Sequence, residues 1–156
     1  MNRSSLFASV LLATMLTSIP LWYGTAWGEV ALNEDKPFAD THVILQVSQS
    51  DPTRHGLTLD IANNLAKHYG GSDMVDVEII AFGGGVPMLF AGSALGARIH
   101  SLMAQGVRFY VCGNTLDTIE RRDGKRPRIL SGVETVQTGV AFMVEEMKLG
   151  YIHVQP

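Results

Sequence analysis

Short β-branched apolar runs alternate along the chain with longer stretches whose apolar residues recur every three or four positions. His42 to Val47 predicts a first strand. Ser48–Gly56 carries the turn signal Asp51-Pro52. Leu57, Ile61 and Leu65 then mark one face of a helix that Gly70-Gly71 ends. Val75–Phe82 predicts strand two, broken by Gly83-Gly84-Gly85-Val86-Pro87. Leu95, Ile99, Leu102 and Met103 form the next helical stripe, closed by Gly106. Val107–Val111 predicts strand three, ending at Cys112, and Gly113-Asn114-Thr115 opens a short helix to about Arg122. After a basic loop, Asp123–Pro127, come strand four at Val133–Val136 and a helical stripe of Val140, Met143, Val144 and Met147. Gly150 closes that helix, and Tyr151–Val154 predicts strand five. Five strands alternating with helices predict an α/β domain with a mainly parallel sheet covered on both faces. Right-handed crossovers follow, but strand order does not.

The first residues fall outside this pattern. Residues 1–28 hold one charge, Arg3, then an apolar run from Leu6 to Gly24, then Ala26-Trp27-Gly28 with small residues two apart. A positive start, an apolar run and a small-x-small site describe a secretory signal peptide, 1–28, cut after Gly28. The alternative is an uncleaved anchor, since Leu6–Trp27 is long enough to cross a bilayer, although Pro20 and the Ser/Thr content weaken it. Residues 29–40, with three acids, a lysine and Pro37 between Asn33 and Asp40, read as a solvated linker before a domain at 41–156. Export implies a periplasmic or secreted protein, with no membrane contact once the signal is cut.

Composition narrows the function. With 46% hydrophobic and 17% charged residues the chain is globular. A formal charge of −3 argues against a nucleic-acid surface. The single cysteine excludes an intramolecular disulfide and a four-cysteine zinc or iron–sulfur site. In an exported chain an odd cysteine suggests a free reactive thiol or an intermolecular pair; a buried inert thiol is the structural alternative.

Position favours the reactive reading. In open α/β sheets, ligands bind at the carboxyl ends of the strands, where Ser48–Gly56, Gly83–Ala94 and Cys112–Thr115 gather. Cys112 also precedes a helix, with Asn114 as the expected N-cap and Asp117 three residues on. Free N–H groups and the helix dipole there favour a thiolate. Gly113, Asn114 and Thr115 would hold that anion, and Asp51, His55 and Gly83 are candidate binding residues on the same rim. His55 could face Cys112 as a base, a charge partner or a second metal ligand, or be an exposed loop histidine. Asp51 is also explained by turn chemistry, as is Arg54 by its loop. The glycine triple suggests a phosphate loop, but neither dinucleotide nor P-loop spacing is present, and a flexible turn that lets backbones approach closely explains it better. None of the five histidines is paired at i, i+3 or i+4, so no metal site has local support, and no cofactor is called for. Met88-Leu89-Phe90 is either core or a lid or subunit contact. Arg121, Arg122, Lys125, Arg126 and Arg128 form either a solvated loop or an anion-attracting cluster.

Several segments, in this order, resemble the DsrE/DsrF-like sulfur-relay family, especially its small exported members. They are Ile44-Leu45-Gln46-Val47-Ser48 with Asp51-Pro52, Asn63-Asn64, Val77–Gly83, Gly106–Leu116, Gly132-Val133, Gly139-Val140 and Gly150-Tyr151-Ile152. The likeness covers about residues 40–156. It implies a three-layer α/β/α sandwich that assembles as trimers or hexamers. It also implies that the cysteine after strand three, here Cys112, can carry sulfur as a persulfide. The expected function is a sulfur carrier, or sulfurtransferase-like protein, passing sulfur from a donor to an acceptor thiol. The alternative is a non-enzymatic oligomeric module of the same fold that binds a small ligand, a metal or a partner protein.

Overall fold

A computed structural model describes residue 33 and residues 35–156. The expected signal peptide lies outside the described residues. Five strands form one all-parallel sheet: β1 (Thr41–Val47), β2 (Val75–Ala81), β3 (Arg108–Cys112), β4 (Glu134–Val136) and β5 (Ile152–Val154). Their spatial order is β4-β3-β2-β1-β5. Four α-helices connect them: α1 (Pro52–His68), α2 (Gly96–Met103), α3 (Gly113–Asp123) and α4 (Gly139–Lys148). Among the described residues no helix is long and apolar enough to cross a membrane.

The strand order fixes which helix lies where. From β1 to β4 the chain steps in one direction, so right-handed crossovers place α1, α2 and α3 on one face. The last connection returns across the sheet to the far side of β1, so α4 lies on the other face, giving a three-layer α/β/α sandwich. The larger core joins Val43, Leu45, Val77, Ile79 and Phe109 of the sheet to Leu59, Ile99 and Leu116 of the three helices. The smaller one, under α4, holds Ile44, Ile80, Tyr110, Met143 and Tyr151.

Two helical stripes fall differently from expectation. In α1 the inward residues are His55, Thr58, Leu59, Ala62 and Ala66, while Leu57 is exposed and Ile61 and Leu65 are half-buried. Small residues let the helix lie close to the sheet, and the bulky ones cover its flank. In α4 only Met143 of the expected stripe is buried; Val140, Val144 and Met147 face outward, Val140 at 50% exposure. The period was right, but one helix covering part of a sheet face has room for one inward row. The expected solvated linker also differs. Lys36 and Ala39 are buried, and the Lys36 ammonium donates to the Val75 carbonyl at 3.1 Å. Its apolar stem crosses the sheet end while its charge keeps an oxygen partner.

The segment after β2 is a 3-10 helix, Gly83–Leu89, pressed against the end of β1. A Cβ on Gly85 would lie 2.1 Å from the Val47 carbonyl oxygen, and one on Gly84 2.7 Å from the Ser50 nitrogen. This close approach accounts for the glycines without a phosphate ligand. Gly85→Ala is expected to destabilise the fold by about 2–3 kcal/mol in urea denaturation. Gly92→Ala, where the added Cβ meets no atom within 4 Å, is expected to change stability by less than about 0.5 kcal/mol. Equal effects would show that the 3-10 segment does not depend on this approach.

Candidate functional site: a cysteine between two helix starts

Cys112 is the last residue of β3 and is itself the N-cap of α3, with extended backbone angles. This corrects the expected Asn114 cap: the strand runs straight into the helix, so Gly113 and Asn114 are already its first two residues. Neighbouring β4 ends at Val136, in register with Cys112, and α4 begins three residues later. Two helix N-termini therefore converge on one sulfur. The Gly139 N–H, in the first turn of α4, donates to Cys112 Sγ at 3.4 Å, and the thiol reaches the Gln137 carbonyl at 3.7 Å.

Glycine permits this convergence. A Cβ on Gly139 would lie 3.2 Å from Cys112 Cβ, and one on Gly113 would lie 3.1 Å from Gln137 Oε1. Hydrogen bonds then lock the two turns together. The Asn114 N–H donates to the Gln137 carbonyl at 3.0 Å. Gln137 Nε2 donates to Asn114 Oδ1 at 2.7 Å, and Asn114 Nδ2 to Thr138 Oγ1 at 3.1 Å. Sequence reading missed Gly139, Gln137 and Thr138, because their link to Cys112 depends on β3 and β4 being neighbours.

The cysteine is 6% exposed. Burial opposes the thiolate, but donors from Gly139, the Thr115 side chain and the Thr115 and Asn114 backbones outweigh it, so its pKa lies below the ordinary thiol value. Thr115 has a second role: its hydroxyl oxygen accepts from the Gly83 N–H at 3.1 Å. A hydroxyl accepts through its lone pairs and donates through its own proton, so the bond from Gly83 leaves that proton available to the sulfur. Gly83 thus joins the site through its backbone, and its φ of 52° suits glycine.

The other rim residues stand apart. Asp51 is the N-cap of α1, accepting from the Thr53 N–H at 2.9 Å, with Pro52 opening the helix. His55 lies inside α1, buried, with Nε2 2.7 Å from the Gln49 carbonyl. The helix begins at Pro52, five residues earlier than the expected loop would allow, which turns His55 inward to tie the β1–α1 turn. Among the described residues no group of three or more His, Cys, Asp or Glu side chains could hold a metal. Met88 and Leu89 are core. Phe90, with Pro87, Ile119, Thr115, Thr118 and Arg122, lines a cleft of about 420 Å³ beside α3. The basic cluster is partly neutralised, with Arg122 on Asp123 and Arg126 on Asp117 and Glu120.

In alkylation rates measured against pH, the Cys112 reactivity midpoint is expected below that of a free cysteine. Thr115→Val should move the midpoint upward, and Thr115→Ser should restore it. An unchanged midpoint in the valine variant would remove the Thr115 hydroxyl from the account.

No protein-family model matches the chain, and no curated protein sequence matches it. Solved structures do. The protein YchN of E. coli superposes with a TM-score of 0.58 at 17% identity, over 74% of this chain and 97% of that one, and shows the fold alone. MTH1491 of Methanobacterium thermoautotrophicum, a protein of unknown function, superposes with a TM-score of 0.66 at 30% identity, over 75% of this chain and 100% of that one. Both belong to the DsrE/DsrF-like fold family. With that identity over the full length of MTH1491, the chain belongs to the same family as that protein, one of DsrE/DsrF-like fold.

Proposed function

We propose that the protein is a sulfur carrier that holds sulfur as a persulfide on Cys112. The observation that carries this reading is the convergence of Gly139, Thr115 and Asn114 donors on one sulfur with a lowered pKa. The thiolate attacks the outer sulfur of a persulfide or polysulfide donor. A bond forms between Sγ and that sulfur, the donor's sulfur–sulfur bond breaks, and the donor leaves as a thiolate. An acceptor thiolate then attacks the outer sulfur, and Cys112 leaves as a thiolate again. Each step exchanges one sulfur–sulfur bond for another, so no oxidant is consumed. With one cysteine in the chain, the acceptor must be another molecule. A periplasmic or secreted location is part of the proposal, supported by the charge and apolar pattern of residues 1–28.

Incubation with polysulfide followed by intact-protein mass spectrometry is expected to show gain of one sulfur atom, reversed by a small thiol. Cys112→Ser should gain none. A folded wild-type protein that takes up no sulfur would overturn the reading. The cleft beside α3 favours a second reading, a small-ligand module, under which Cys112→Ser leaves ligand binding unchanged.

Self-association as a trimer or hexamer belongs to the same proposal. Its support is the outward row Val140, Val144 and Met147 on α4, beside exposed Ile152 and Val154 of edge strand β5. Light scattering is expected to show an oligomer that Val144→Glu splits into monomers, with circular dichroism unchanged. A wild-type monomer at assay concentrations would refute this assembly.

A further inference from the structure

Beneath α4 lies a set of charges that the thiol chemistry does not use. Asp76 and Glu78 are neighbours on one face of β2, 0% and 1% exposed, and they share one guanidinium nitrogen. Arg108 Nη2 lies 2.6 Å from Asp76 Oδ2 and 2.9 Å from Glu78 Oε1. The division is unequal. Asp76 also accepts from the Tyr151 hydroxyl, and from Asn33 Nδ2 at 3.3 Å. Glu78 has only the Tyr110 hydroxyl besides, at 3.3 Å, and its Oε2 finds no partner among the described residues. Two buried carboxylates with one cation between them cannot both stay charged at low cost. With fewer donors on its oxygens, Glu78 is the carboxyl that holds its proton.

Groups from every neighbouring element face this pair. Arg108 and Tyr110 come from β3, His42 from β1, Tyr151 from the turn before β5, and Glu146 from α4. Lys36 lies beyond Asp76, and Glu134 of β4 beyond Tyr110. α4 closes the cluster from above: Phe142 packs on the Tyr110 ring at 4.4 Å, and Met143 lies in the same small core. The first turn of that helix carries the Gly139 N–H that holds Cys112.

We propose that Glu78 is a proton-operated latch beneath α4. With its proton on, the carboxyl is a neutral neighbour of Arg108 and Tyr110, and α4 stays seated over it. With its proton lost to solvent, Glu78 is a carboxylate crowded by the carboxyl groups of Asp76 and Glu146 under one helix, and hydrating it requires lifting α4. Lifting the helix withdraws Gly139 from Cys112 and opens a route to a sulfur that is otherwise covered. The latch stands on its own and does not depend on what Cys112 carries.

The sign of its pH dependence follows from burial. Burial raises Glu78 to about 8, with Arg108 opposing and Glu146 and Asp76 adding. Once hydrated it returns to about 4.3. Opening therefore releases a proton, and rising pH favours it between those two values. Amide hydrogen exchange of the full chain, divided by the intrinsic base-catalysed rate, tests this across pH 5–9. Protection in Gly139–Lys148 is expected to fall by up to tenfold per pH unit up to about 8 and then level. These amides should exchange faster than those of α1 throughout, because α1 on the opposite face opens only with the whole domain. Glu78→Gln should abolish the slope in α4. A flat wild-type profile, or α4 and α1 amides exchanging at one common rate, would overturn the latch.

Discussion

The approach of the α4 first turn to Cys112 is the constraint on which the site depends. Gly139 brings its N–H to 3.4 Å from the sulfur in a turn where residues 113 and 139 carry no side chain. Any Cβ there would meet Cys112 or Gln137 at 3.1–3.2 Å. The sheet order makes the approach possible, since β3 and β4 are neighbours and each ends where a helix starts. A helix N-terminus offers unpaired N–H groups and a favourable dipole to an anion. Here one sulfur receives both.

The two faces of the sheet do different work. Three helices cover one face and fill it with apolar side chains, which gives the strand ends a rigid base. The single helix α4 covers the other, where Arg108, Tyr110 and Cys112 follow one another along β3 at every second position. That face holds the buried carboxylates, the thiol and a helix whose outer row is apolar and exposed. The buried charges under α4, the thiol at its start and the exposed apolar row on its outside thus meet on one ten-residue element.

Much of this was legible in the sequence. The strand and helix alternation, the parallel sheet and the address of Cys112 at a strand-to-helix rim follow from local patterns. What was not legible depended on which strands are neighbours. Gln137, Thr138 and Gly139 look like an ordinary turn until β4 is placed beside β3. Asp76 and Glu78 look like the polar half of an alternating strand until β2 proves central and buried throughout. His55 looked like a loop residue because Asp51-Pro52 reads as a turn; the same pair is also a helix N-cap with proline in the first turn, and the helix won. Leu57, Ile61 and Leu65 have the right period on the wrong face, since Ala62 and Ala66 allow closer packing against the sheet.

The central claim is that the Cys112 thiolate is held by the start of α4. Titration followed by nuclear magnetic resonance tests it directly, with the Cys112 Cβ reporting the thiol and the Gly139 amide reporting its donor. One shared midpoint is expected for the two signals, below the ordinary thiol value. A Gly139 amide that stays unmoved while Cys112 ionises would contradict it.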